Sequence, residues 1–167
     1  KTNHFKNMFK KLIFILPVLL FMIGCSKSDI PCPYVEPSTV APTSEINTLQ
    51  SYLTIPHPNA IQHPSGFFYE ITSPGTGTAT ASVCSNVSVK YSGYLISDGS
   101  KFDENLTGIT FTLGSLIVGW QKGIPLIKAG GSITLYLPPS LAYGSNAVGS
   151  IPPNSYLMFV IQLDNVQ

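Results

Sequence analysis

The sequence predicts an α+β fold in which several short, mostly antiparallel strands wrap over one short helix, and three observations predict it. Apolar residues recur at every second position along Val87, Val89 and Tyr91, along Ile133, Leu135 and Leu137, and along Leu157, Phe159, Ile161 and Leu163, the period of a strand with one buried face. Turn-forming residues separate these runs, with 14 glycines and 14 prolines in 167 residues. One apolar stretch, Gly114-Ser-Leu-Ile-Val-Gly-Trp120 followed by Gln121-Lys-Gly-Ile124, leaves room for a turn or two of helix before Pro125, because proline lacks an N–H and clashes with the preceding turn. Strands gathered over a single short helix give the α+β class.

Composition narrows the function. At 44% hydrophobic the chain can fill the core of one domain and is short for two. Nine phenylalanines, eight tyrosines and one tryptophan with only 10% charged residues argue against disorder. There is no arginine, and beyond residue 25 five lysines face all eight acids. Neither a basic stripe nor a bidentate guanidinium is on offer, so nucleic acid is not expected as a partner.

Taken in order, the chain begins with a targeting segment, residues 1–24. Lys10 and Lys11 precede an apolar run at 12–23 broken by Pro17, the length of a signal-peptide core and short of the ~20 residues that cross a bilayer. The run ends Phe21-Met-Ile-Gly-Cys25, which resembles the lipobox of bacterial lipoproteins. That resemblance implies lipidation of Cys25 and an extracytoplasmic protein anchored to a bacterial membrane, on its periplasmic or surface side. Residues 25–43 form a tether in which Pro31, Pro33, Pro37 and Pro42 stand among Ser and Thr, a composition that favours extended chain. Residues 44–62 make a short helical extension: Ile46, Leu49 and Leu53 fall at helical spacing, Ser or Thr is available as N-cap, and Glu45 sits in the first turn. Pro56 and Pro58 end it.

Two cysteines, Cys32 and Cys84, remain once Cys25 is set aside. In an oxidising compartment an even remainder reads as a disulfide, here one that pins the tether to the domain, or else as two thiols. A metal site drawing on Cys32, Cys84, His57 and His63 is disfavoured, since these residues lack the close ligand pairs of zinc motifs.

The domain proper, 63–167, opens with the β-prone run Phe67-Phe-Tyr-Glu-Ile71 and the turn cluster Ser73-Pro-Gly-Thr-Gly77. Asp98-Gly99 marks a hairpin turn into Lys101-Phe-Asp103. In this order stand Val89-Lys-Tyr-Ser-Gly-Tyr-Leu95, Asp98-Gly-Ser-Lys-Phe-Asp103, Phe111-Thr-Leu-Gly114, Val118-Gly-Trp120, Leu137-Pro-Pro-Ser-Leu-Ala-Tyr-Gly144 and Ile151-Pro-Pro-Asn154. Together they resemble the successive motifs of the FKBP-type peptidyl-prolyl isomerases, the macrolide-binding immunophilins. The similarity runs from about Gly66 to the C-terminus.

The resemblance implies an FKBP-like half-barrel of antiparallel strands around one short helix, with the site on its concave side. It implies catalytic roles for Tyr91, Phe102, Asp103, Ile117, Trp120, Tyr143 and Phe159, and substrate contacts from Phe111, Leu116 and Ile151, with Phe111 at the pocket base at most. The reaction it implies needs no cofactor and no metal. Its partners would be proline-containing unfolded or exported polypeptides and a macrolide ligand, met by a monomer held to the membrane through its lipid anchor. Many members place an arginine downstream that pairs with the acid at Asp103; with none here, Asp103 is expected to be satisfied by Tyr91 or Tyr143.

Other classes fit less well. A Ser–His or Cys–His hydrolase needs a histidine, and none follows His63. Gly75-Thr-Gly77 lacks the lysine of a phosphate-binding loop. The remaining alternative is a non-catalytic, chaperone-like module that binds polypeptides in the same groove.

Overall fold

A computed structural model describes residues 31–167. The signal segment, Cys25 and the first residues of the tether lie outside the described residues. Among the described residues no helix is long and apolar enough to cross a membrane.

Helix α1 (Thr43–Leu53) forms where the 3.6-residue spacing of Ile46, Leu49 and Leu53 predicts it. Its N-cap is Pro42, with no side-chain cap bond, in place of the expected Ser or Thr. The proline ring already holds φ at −60°, and the Pro42 carbonyl accepts from the N–H groups of Glu45 and Ile46. The described residues form six strands, β1 (Ile61–Gln62), β2 (Phe68–Ser73), β3 (Asn86–Leu95), β4 (Lys101–Thr112), β5 (Gly131–Leu137) and β6 (Leu157–Val166). They make one antiparallel sheet in the order β1-β2-β5-β6-β3-β4. The sheet thus starts at Ile61, two residues before the boundary expected at 63. Helix α2 (Val118–Gly123) carries Trp120 and tightens into a 3-10 turn over Ile124–Leu126 that takes up Pro125.

Strand β5 shows how the two faces divide. Leu135 and Leu137 point into the main core with Phe67, Val89, Leu113, Trp120 and Ile161. Tyr136 points the other way, where alternation alone predicts an exposed residue. It is nonetheless buried, packed with Phe68 under Leu49 and Leu53 of α1. Its hydroxyl donates to Glu70 Oε2 at 3.2 Å and lies 2.8 Å from His57 Nδ1, so the buried oxygen is satisfied. Burial, then the Glu70 charge, pushes this phenol well above its ordinary pKa. The sheet therefore has a helix on each face. α2 comes close because Gly119 and Gly123 present no side chain to Leu137 and Leu135.

The hairpin after β3 turns at Asp98-Gly99, where Gly99 takes φ +73° and Asp98 Oδ1 accepts from the Ser100 N–H and hydroxyl. Strand β4 then runs unbroken to Thr112, pairing Asn105, Ile109 and Thr110 with β3 despite two register shifts. Residues 104–110 thus belong to the edge strand of the sheet. Cys32 and Cys84 are joined in a disulfide with Cα atoms 5.7 Å apart; with both sulfurs so engaged, neither has a thiolate to offer a metal. Beyond the disulfide, Tyr34 lies on Gly114 and Ala41 is buried in the main core. This part of the tether is laid along the domain and does not extend away from it.

Candidate active site

A cavity of about 230 Å³ opens on the α2 side of the sheet, lined by Tyr91, Phe102, Asp103, Phe111, Leu116, Ile117, Trp120, Tyr143 and Phe159. The elements that bring these residues together are separate in sequence. Pairing of β3 with both β4 and β6 sets Gly93 opposite Asp103 on one side and Phe159 on the other, while α2 lifts Trp120 beneath them.

Trp120 is 3% exposed and forms the floor. Tyr91, Phe159 and Phe111 meet it edge to face, with ring centroids 5.2, 5.3 and 6.4 Å away and interplanar angles of 83°, 89° and 85°. Phe102 meets Phe159 in the same manner at 5.5 Å. Such pairs interlock through the ring quadrupoles and resist sliding, which gives a firm apolar wall. Among the described residues the buried Trp120 Nε1–H has no acceptor.

The polar edge is sparse. The Tyr91 hydroxyl donates to Asp103 Oδ2 at 2.6 Å, supplying the partner that the absent arginine would have provided. Desolvation first, then this bond and the carboxylate charge, push the Tyr91 phenol up to about 12. Burial, and next the Asp103 charge, also raise Tyr143, so both phenols are neutral donors at physiological pH. Because the folded-state value of Tyr91 lies above the unfolded value near 10, the contact is fully present below pH ~10 and lost as pH rises towards about 12. Alkaline unfolding of Tyr91→Phe is expected to lack that part of the pH dependence; an unfolding curve superimposable on wild type would contradict the assignment.

Besides the buried Trp120 indole, two donors of the lining remain for a ligand. Among the described residues neither the Tyr143 hydroxyl nor the Ile117 N–H has a protein acceptor. Ile117 precedes α2 with extended backbone, φ −60° and ψ 150°. Its loop is held by Gln121, whose buried amide donates to the carbonyls of Leu116 at 2.7 Å and Gly114 at 3.2 Å.

Of the ten residues that sequence reasoning assigns to the pocket, nine line it. Ile151 does not. A two-residue bridge with Val148, N–H to carbonyl at 2.9 and 3.0 Å in the two directions, turns it into the main core, where it is 5% exposed. Phe111 lines the wall as well as touching Trp120.

Gln121 and Gly93 shape the cavity from behind its lining, and sequence reasoning missed both. A Cβ at Gly93 would stand 2.6 Å from Phe102 and 3.0 Å from Phe159. Gly93→Ala is expected to wedge these rings apart, lowering stability by about 1–3 kcal/mol and kcat/KM by roughly tenfold. Urea unfolding and a peptide assay measure both.

Residues 77–164 match the FKBP-type peptidyl-prolyl cis-trans isomerase family, more than half of the chain. The chain belongs to that family. This FKBP is 42% identical over 106 residues to the FKBP-type peptidyl-prolyl cis-trans isomerase FkpA of Escherichia coli, covering 62% of this chain and 38% of FkpA. It is 39% identical over 111 residues to the peptidyl-prolyl cis-trans isomerase FKBP53 of Arabidopsis thaliana, covering 63% of this chain and 23% of that one. The chain thus spans less than half the length of either relative. Among solved structures, the FKBP fold superimposes on the crystal structure of Escherichia coli FkpA with a TM-score of 0.66 and 35% identity, over 74% of this chain and 58% of the other. A peptidyl-prolyl isomerase from Pseudomonas syringae gives 0.65 and 29%, over 77% of this chain and 98% of that one.

Proposed function

We propose that this FKBP catalyses cis–trans isomerisation of X–Pro bonds in exported polypeptides. The observation that carries the proposal is the aromatic box on Trp120 with two unengaged donors, the Tyr143 hydroxyl and the Ile117 N–H, at its rim. Rotation about an X–Pro bond must break amide resonance, against a barrier of ~18–20 kcal/mol. The planar amide is more polar than the twisted one, so a dry aromatic cavity disfavours the ground state relative to the transition state. Phe102, Trp120 and Phe159 surround the proline ring and exclude water. Tyr143 and Ile117 hold flanking carbonyls while the amide turns. A rate gain of ~10⁶ corresponds to about 8 kcal/mol of such differential binding.

The same reading places the protein outside the cytoplasm. The signal pattern at 1–24 and the lipobox-like stretch ending at Cys25 support export and lipid anchoring, and the Cys32–Cys84 disulfide fits an oxidising compartment. Proline-containing exported polypeptides are the substrates, and a macrolide competes for the same box. Wild-type protein is expected to accelerate isomerisation of a short X–Pro peptide; a rate equal to buffer would leave the chaperone-like binding module as the better reading. That module would still suppress aggregation of an unfolded client.

A further inference from the structure

We propose that Glu45, on α1 and outside the span that matches the family, is a positioning residue for the Tyr143 hydroxyl; the role rests on the isomerase reading above. Tyr143 stands two residues beyond a 3-10 turn, Pro139–Leu141, with Ala142 as the turn's C-cap between them. The turn's own hydrogen bonds begin with Leu141 donating to the Pro138 carbonyl at 3.1 Å and Ala142 to the Pro139 carbonyl at 2.9 Å. Pro138 and Pro139 have no N–H, so the Ser140 N–H is the first donor of the turn and has no backbone acceptor within it. Glu45 Oε2 accepts it at 3.0 Å, from 95 residues away in the chain.

Without the carboxylate, Ser140 would be left doubly unsatisfied, since its Oγ is already buried with no partner. The half-buried turn relieves that by moving towards water. Tyr143 would move with it, because Gly144 donates back to the Pro139 carbonyl at 2.8 Å and ties both ends of the segment together.

α1 cannot follow such a movement. Leu49 and Leu53 are buried beneath it, Ala41 donates to the Ser65 carbonyl at 2.9 Å, and Ile46 lies so close over Gly66 that a Cβ there would be 2.8 Å from Ile46 Cδ1. The extension helix is thus a fixed reference against which Glu45 sets the turn. A donor to a twisting amide acts over a narrow range of distance, so a small displacement of the Tyr143 hydroxyl reduces rate more than affinity.

The test combines kinetics on a short X–Pro peptide with amide exchange in the full protein. Glu45→Ala is expected to lower kcat roughly tenfold with little change in KM, and to speed amide exchange across residues 139–144 while the strands stay protected. Glu45→Gln keeps an accepting oxygen and should retain most of the activity. Glu45→Asp, one methylene too short to reach Ser140, should resemble the alanine variant and replaces it if the latter does not fold. In a Tyr143→Phe background Glu45→Ala should cost nothing further, because it acts through the hydroxyl already removed. Penalties that multiply in the double variant, a Gln variant as impaired as Ala, or a fully active Ala variant would each overturn the proposal. An inactive wild type would instead refute the isomerase reading; the exchange comparison then still decides whether Glu45 holds the turn.

Discussion

Replacing Trp120 with alanine is expected to lower kcat/KM by about a hundredfold or more and stability by about 3–5 kcal/mol. The residue is 3% exposed, and three aromatic rings take their orientation from it. Its removal opens the floor of a cavity of about 230 Å³ to water. Water in the box solvates the planar amide and so removes the differential that drives rotation. Trp120→Phe retains an aromatic floor and should stay within roughly tenfold of wild type. Peptide isomerisation read beside urea unfolding separates the two effects. An alanine variant that is folded and as active as wild type would sink the desolvation mechanism.

The second large effect is on stability alone. Cys32 and Cys84 close a loop spanning 52 residues, and on the chain-entropy account losing such a crosslink costs about 4 kcal/mol. Cys32→Ser with Cys84→Ser should therefore unfold at much lower urea than the oxidised wild type, and reduced wild type should behave like the double variant. Neither cysteine lines the cavity, so isomerase activity at 25 °C should hold within about twofold. Equal midpoints for oxidised and reduced protein would show that the strap adds nothing to the fold.

How much of this was legible in the sequence depended on how local each signal is. The strands at Val87 to Tyr91 and Leu157 to Leu163 follow from alternation, and α2 from one apolar turn before Pro125, because these patterns concern near neighbours. Nine pocket residues were also legible, through motifs whose spacing reflects the sheet register. What stayed hidden is long-range. Tyr136 looks like the wet side of a strand and is buried only because α1 lies on it. Ile151 carries the right motif, yet its bridge to Val148 turns it into the core. Gly93 is one glycine among 14 until two rings are found closing over it. Gln121 and Glu45 act through backbone groups, at Leu116 and Ser140, that no side-chain pattern announces. The satisfaction of Asp103 by Tyr91 was legible for a simple reason: with no arginine in the chain, the choice of nearby donors was small.

Because the chain has a single tryptophan, its indole N–H gives one resonance in an ¹⁵N spectrum that reports on the floor of the cavity. The most direct measurement adds wild-type protein to an X–Pro peptide and records, in one sample, exchange between the cis and trans peptide signals and the position of that indole resonance. Catalysed exchange, accompanied by a shift of the Trp120 indole that saturates with peptide, is the predicted result. Peptide signals that fail to exchange, or that exchange while the indole stays unmoved at saturating peptide, would contradict the claim that X–Pro bonds rotate on Trp120.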